Sequence, residues 1–122
     1  MELQQAIKQG ERFMVAVDRG ELRCAAELYT TETGVVFLDT GWPEPMAPPR
    51  AHYMAGTPRE TPMGWEVGDW RIYRLDTNDP EDREAWTHWE RGKEICEEYG
   101  LDYSREEGAR YATRVLEIPV KP

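Results

Sequence analysis

The chain has 122 residues and a formal net charge of −9, and at this length one domain can bury about two thirds of the surface of its unfolded chain. No apolar run approaches the ~18 residues of a membrane span, and the N-terminus lacks the basic-then-apolar pattern of a secretory signal. We therefore expect no membrane span and a single soluble, cytoplasmic domain over residues 1–122.

The excess negative charge is concentrated in about a quarter of the chain. Residues 76–107 contain twelve acidic and four basic residues, a net charge of −8, so the remaining residues contribute −1. A field of this sign repels phosphate backbones and accelerates association with basic surfaces. The distribution argues against direct nucleic-acid binding and favours a basic protein partner.

The N-terminal third predicts a short helix followed by strands. Leu3, Ala6 and Ile7 share one helical face, and a glycine, Gly10, follows as a typical helix end. Three β-compatible runs come next, at 12–17, 21–30 and 34–40. The second run alternates like a strand with one solvated face, and short turn-rich links favour an antiparallel meander. A largely helical segment over 2–29 is the alternative, because the same run also suits a helix.

The middle of the chain predicts a loop and a hairpin. Residues 42–52 contain four prolines, which remove amide donors and fix φ, so a semi-extended loop is expected there. Gly68 and Asp69 then form a two-residue link typical of a tight hairpin. Across this hairpin, Trp65 and Trp70 are expected to face each other.

Capping signals predict two C-terminal helices. Asp79 is a capping carboxylate followed by proline at the first helical position, and Gly100 is a typical end for this first helix. Ser104 and Glu107 form a capping box for a last helix at about 105–116. A final edge strand is expected after it. The fold class is therefore α+β, with an antiparallel sheet of four to five strands, both C-terminal helices on one face and the short N-terminal helix at an edge.

Helical spacing divides the first of these helices into two faces. One stripe, expected to face the core, contains Ala85, Trp89, Gly92, Cys96 and Tyr99. In the last helix, Tyr111, Ala112 and Val115 are expected inward. The opposite arc of the first helix carries most of its acidic residues, which we expect in solvent.

No pattern in the chain indicates a metal site or a known catalytic centre. His88 and Cys96 lie eight residues apart, about 12 Å along a helix, too far to share one ion. Cys24 and His52 add no ligand-like spacing. Ser104, the only serine, is accounted for by capping, and the phosphate-binding and nucleophile-elbow motifs are missing. We therefore expect a non-enzymatic protein without a metal or cofactor.

The acidic arc is the leading candidate for function. Glu90, Glu94 and Glu98 place like charges at i, i+4, where each pair destabilises a helix slightly. Such a surface resembles the charge of a nucleic acid and would attract a protein cleft that binds DNA or RNA. The predicted partner contacts are Glu84, Glu90, Glu94, Glu97, Glu98 and Asp102. The alternative is a charged face that serves solubility alone.

In size and charge the chain resembles phage-encoded counter-defence inhibitors such as anti-CRISPRs, although no sequence motif carries this resemblance. It implies an inhibitor that mimics DNA and acts in the host cytoplasm. A second hypothesis is a small-ligand protein with an aromatic and cationic pocket for a nucleotide or another anion. The residues expected to form that pocket are Trp65, Trp70, Arg71, Tyr73 and Arg74.

Overall fold

The computed structural model describes residues 1–17, 23–41, 45–100 and 104–121. In these ranges the chain forms three helices and seven strands, in the order α1 (Leu3–Lys8), β1 (Phe13–Val17), β2 (Arg23–Thr30), β3 (Gly34–Gly41), β4 (Pro45–Ala55), β5 (Arg59–Thr61), β6 (Gly64–Val67), β7 (Trp70–Arg74), α2 (Pro80–Glu98) and α3 (Arg105–Leu116). The strands form one antiparallel sheet with the order β4-β3-β2-β1-β7-β6-β5.

The predicted α+β class is confirmed, but the expected four to five strands were too few. The proline-rich segment expected as a loop forms most of β4. This strand lies at one edge of the sheet, where only one side of the backbone must pair, so proline is tolerated. The other strand that was missed, β5, has only three residues, too few to show a period of two.

Each face of the sheet has its own apolar core. The inner face, as we call it, carries the side chains of Phe13, Val15, Cys24, Ala26, Leu28, Val35, Phe37, Met54, Trp65, Val67 and Ile72. The outer face packs against α2 and α3. The expectation that β2 has one solvated face was therefore wrong, because Ala25 and Tyr29 on its outer side are buried beneath the helices.

The sheet curls around its inner face. Phe37 on β3 and Trp70 on β7 have ring centroids 5.3 Å apart, although three strand spacings, about 14 Å in a flat sheet, separate the two strands. Helix α1 lies within this curl, with Leu3 and Ala6 buried in the inner core. The N-terminal helix thus covers a face of the sheet, and the expected position at an edge was wrong.

The β6–β7 hairpin has the predicted two-residue link, but the two tryptophans are not opposite each other. Val67 pairs with Trp70, so Trp65 pairs with Ile72. The tryptophans share the inner face and contact different rings: Trp65 lies 5.9 Å from Phe13 between centroids. A two-residue link fixes this register, and the pairing predicted from the sequence was wrong by one diagonal step.

Both C-terminal helices begin at their predicted caps. The Asp79 carboxylate accepts a hydrogen bond from the backbone N–H of Glu81 at 2.9 Å, and the Ser104 hydroxyl accepts one from the N–H of Glu107 at 3.3 Å. Gly100 has φ +84° and follows the end of α2. These contacts confirm the two helices that local sequence signals predicted.

Three expectations near the helix ends were wrong. Tyr99 and Val115 were expected to face the core, yet they are 75% and 51% exposed. Tyr99 is the C-cap residue of α2, so helical spacing no longer determines its direction. Residues 117–120 form no strand, and beyond them the Lys121 N–H donates to the Thr30 carbonyl in an isolated bridge.

Candidate functional site

The acidic side chains predicted as partner contacts lie together on the solvent side of α2. We define the acidic face as Glu84, Glu90, Glu94, Glu97 and Glu98, all of which are exposed. Along the helix the face spans about 21 Å at 1.5 Å per residue. The sixth predicted contact, Asp102, lies outside the described residues.

The acidic face has little compensation by bases on its own helix. The Arg91 guanidinium donates to Glu94 at 3.3 Å, and both side chains are at least 60% exposed, so screening by water makes this pair weak. The ammonium of Lys93 lies over the ring of Trp89, 5.8 Å from its centroid. The last turn of α2, which is described in full, contains no basic residue.

The end of α2 carries charges of the wrong sign for helix stability. A helix C-terminus has a partial negative charge, which disfavours carboxylates by about 0.3–1 kcal/mol each at low ionic strength. Glu97 and Glu98 are in this last turn, and Glu98 also lies one turn after Glu94. Helix stability therefore does not explain why these positions are acidic.

One acid of α2 has a different role. Asp82 is 1% exposed, and its Oδ2 accepts a hydrogen bond from the backbone N–H of Asp76 at 2.9 Å. It is the third residue after the cap Asp79, the position from which a carboxylate commonly reaches back to satisfy a backbone donor. That spacing was the available signal, and it identifies Asp82 as structural.

The residues of the second hypothesis divide between the two faces of the sheet. Trp65 and Trp70 belong to the inner core, whereas Arg71 and Tyr73 alternate to the outer side of β7. The indole N–H of Trp65 donates to the Met1 carbonyl at 3.0 Å. Trp65 is thus held in the core by packing and by a hydrogen bond.

Four of these five residues nonetheless border one open groove of about 830 Å³ between the β6–β7 hairpin and the start of α2. Trp65, Arg71, Tyr73 and Arg74 line it, and Trp70 does not. The Arg74 guanidinium is already engaged, since its Nε donates to Glu11 at 2.9 Å. Four acids share the lining, namely Glu66, Asp76, Asp79 and Asp82.

The two cysteines lie in separate cores and have the properties of structural thiols. Burial, together with the nearby Asp39 carboxylate, raises the pKa of the Cys24 thiol to about 12. Burial also raises the pKa of the Cys96 thiol. No group of three or more His, Cys, Asp or Glu side chains within the described ranges is arranged to hold a metal ion.

A polar cluster on the inner face was missed by the sequence reasoning. Asp39 is 6% exposed and lies 3.9 Å from Nε2 of His52 on the adjacent strand, an ion-pair distance that is too long for a hydrogen bond. The His52 ring stacks on Phe37 with centroids 4.4 Å apart. Burial lowers the pKa of His52, although the Asp39 carboxylate acts in the opposite direction. The cluster depends on the register of β3 and β4, which no local pattern reveals.

Comparison with protein-family models, curated proteins and solved structures finds no match. None of the helices in the part of the chain that the structure describes is long and apolar enough to cross a bilayer. Any function must therefore be argued from the surface and clefts of this chain itself.

Proposed function

We propose that the protein binds a basic surface of another protein through the acidic face of α2 and performs no catalysis. The observation that carries this proposal is the set of exposed carboxylates at the C-terminal end of the helix, where they oppose the helix dipole and where the last turn supplies no base. A charged surface that lowers stability is retained more readily when it contacts a partner than when it serves solubility alone.

The arrangement further supports mimicry of a nucleic acid. Five carboxylates spread over about 21 Å give one charge per ~5 Å, compared with one per ~3.4 Å along a single strand of DNA. The row of charges on α2 is therefore similar to that of a phosphate backbone but less dense, and a cleft that binds such a backbone could bind it. We accordingly propose an inhibitor of a nucleic-acid-binding complex, of the phage counter-defence type represented by anti-CRISPRs, acting in the cytoplasm.

The test is capture of a partner from a bacterial lysate at low and high salt with three immobilised proteins. These are the wild type, a variant with Glu90, Glu94 and Glu98 changed to lysine, and a control with Glu2, Glu32 and Asp69 changed to lysine. All six positions are exposed, and each triple change moves the net charge from −9 by +6 to −3.

We expect the wild type and the control to retain the same basic protein at low salt and to release it at high salt. The α2 variant is expected to retain none of it. If the partner were held only by long-range attraction between net charges, both triple variants would retain it equally weakly, because they carry the same charge. Equal retention by all three proteins, or capture that is insensitive to salt, would contradict the proposal.

A second candidate is binding of a small ligand in the groove beside β6 and β7. Its supporting observation is the shared lining by Tyr73, Arg71 and Trp65. Because four acids and two arginines line the groove, a neutral or cationic ring fits it better than a nucleotide. A thermal-shift screen that includes nucleotides and aromatic amines tests this candidate, and an unchanged unfolding midpoint with every compound would rule it out.

A further inference from the structure

The sheet opens where β1 and β2 separate. Among the described residues, Phe13–Ala16 of β1 pair with the first four residues of β2, whereas Glu27–Thr30 of β2 pair with β3 on the other side. From α3, the Arg105 guanidinium donates to the Leu28 carbonyl at 2.6 Å and to the Glu27 carboxylate at 3.1 Å. Arg105 therefore binds the part of β2 that β1 leaves uncovered.

A cleft of about 390 Å³ occupies this opening, a volume within the range of ordinary small-molecule sites. Its apolar lining comes from Ile7, Phe13, Ala26 and Leu28, and the two indoles of α2, Trp86 and Trp89, form another wall. The cleft is separate from the acidic face, since none of the five carboxylates of that face lines it.

The lining includes a buried acceptor, Oε2 of Glu11, and a buried donor, Nε1 of Trp86, for which no hydrogen-bond partner is found among the described residues. The other carboxylate oxygen of Glu11 accepts from Arg74 at 2.9 Å. Buried polar groups in proteins are nearly always satisfied, so a donor and an acceptor in one cleft indicate a molecule that offers both.

The charges of the lining add a preference for a carboxylate. Glu27 is paired with Arg105, and Glu11 is paired with Arg74. The lining also contains the guanidinium of Arg12, which is positive. An anionic group near Trp86 therefore meets an indole donor and a cation.

The two indoles present their edges to a ligand more than their faces. Trp86 and Trp89 stack with centroids 4.9 Å apart and an interplanar angle of 16°. The guanidinium carbon of Arg12 lies over Trp86, 4.4 Å from the ring centroid. Since Trp89 and Arg12 both contact the ring of Trp86 through its π-system, a flat ring has little free indole face on which to stack. A small molecule recognised by its polar groups fits the cleft better than a nucleobase.

We propose that this cleft binds a small zwitterion of the α-amino acid class with an apolar side chain. The carboxylate lies against Arg12 and accepts from Trp86 Nε1–H, and the ammonium donates to Glu11. The apolar side chain packs against Ile7, Phe13 and Leu28. This binding activity is independent of the proposed protein partner.

The test is titration of the ¹⁵N-labelled protein with L-leucine, observed through the indole N–H signal of Trp86, at concentrations up to about 10 mM, enough to saturate a site of ~1 mM Kd. Leucinamide, which lacks the carboxylate, and 4-methylpentanoate, which lacks the ammonium, are the matched probes. We expect L-leucine to shift this signal saturably, and each truncated probe to bind about 10- to 100-fold more weakly, as loss of a charge-assisted hydrogen bond implies.

Variants separate recognition from folding. Arg12→Gln is expected to weaken L-leucine binding about 10- to 100-fold, and Arg91→Gln, on the same helix as Trp86 but outside the lining, is expected to leave it unchanged. If Arg12→Gln unfolds, which a loss of dispersion in its amide signals would reveal, Glu11→Gln replaces it with the same expectation. A Trp86 signal unmoved by L-leucine, an equal response to leucinamide, or equal binding by wild type and the folded variant would overturn the proposal.

Discussion

Replacing Glu98 by lysine should stabilise the protein. Glu98 is exposed in the last turn of α2, so the change removes a carboxylate from the negative end of the helix and places a cation there. It also converts a Glu–Glu pair with Glu94, four residues earlier, into a Glu–Lys pair in the favourable orientation. No packing is disturbed, because the side chain lies in solvent.

The expected gain follows from four contributions of known size. Loss of the repulsion with Glu94 and gain of an attraction are each worth about 0.2–0.5 kcal/mol. Loss of the unfavourable dipole interaction and gain of a favourable one are each worth about 0.3–1 kcal/mol. The lower limits sum to ~1 kcal/mol, which we adopt because solvent and salt screen an exposed site. For a chain of 122 residues this raises Tm by roughly 3–6 °C.

Urea unfolding at low salt, followed by circular dichroism, measures the free energy of unfolding of Glu98→Lys against wild type. The matched control is Glu32→Lys, which makes the same change of net charge at an exposed position between β2 and β3 and should stay within about 0.5 kcal/mol of wild type. If Glu98→Lys is neutral or destabilising, or if Glu32→Lys gains as much, the acidic end of α2 carries no stability cost and the reasoning fails.

Three further predictions test the two cores. Cys24 and Cys96 are buried and their pKa values are raised by burial, so both should be inert to a disulfide reagent at pH 8 until denaturant exposes them; rapid labelling of the native protein would contradict this. Because burial lowers the pKa of His52 in the folded state, the unfolded state takes up the proton first, and stability should fall as pH drops below about 6.5. His52→Gln should make the unfolding free energy less dependent on pH across that range. Gly108→Ala would place a Cβ 2.3 Å from the buried Tyr29 hydroxyl and should cost about 1–3 kcal/mol in a urea titration, whereas a gain would show that α3 can move away.

Local signals predicted the helices well and parts of the sheet poorly. The cap at Asp79 and the glycine at Gly100 fix where α2 begins and ends. Both signals are local, because their hydrogen bonds need no partner from a distant part of the chain. Strand β4 could not be identified in the same way, because its prolines are compatible with a strand only at an edge. Edge position is a property of the whole sheet, and no local pattern reports it.

The same distinction applies to the sites. Helical spacing correctly predicted that Glu90, Glu94 and Glu98 are exposed on the solvent side of one helix, since that helix positions all three. The sequence predicted a pocket around Trp65 and Trp70, but both side chains lie in the inner core. Their burial depends on how the whole sheet curls, which local sequence does not report. The cleft beside Trp86 depends on where β1 stops pairing with β2, which periodicity of either strand cannot reveal.

The most direct test of the proposed function is displacement of a nucleic acid from the basic protein captured in the lysate experiment. A fluorescent oligonucleotide bound to that partner is titrated with the wild type, the α2 triple-lysine variant and the control triple-lysine variant, and fluorescence anisotropy reports release. We expect release by the wild type and the control, at concentrations that rise with salt, and none by the α2 variant. Equal release by both triple variants, or a partner that holds protein and oligonucleotide together, would contradict it.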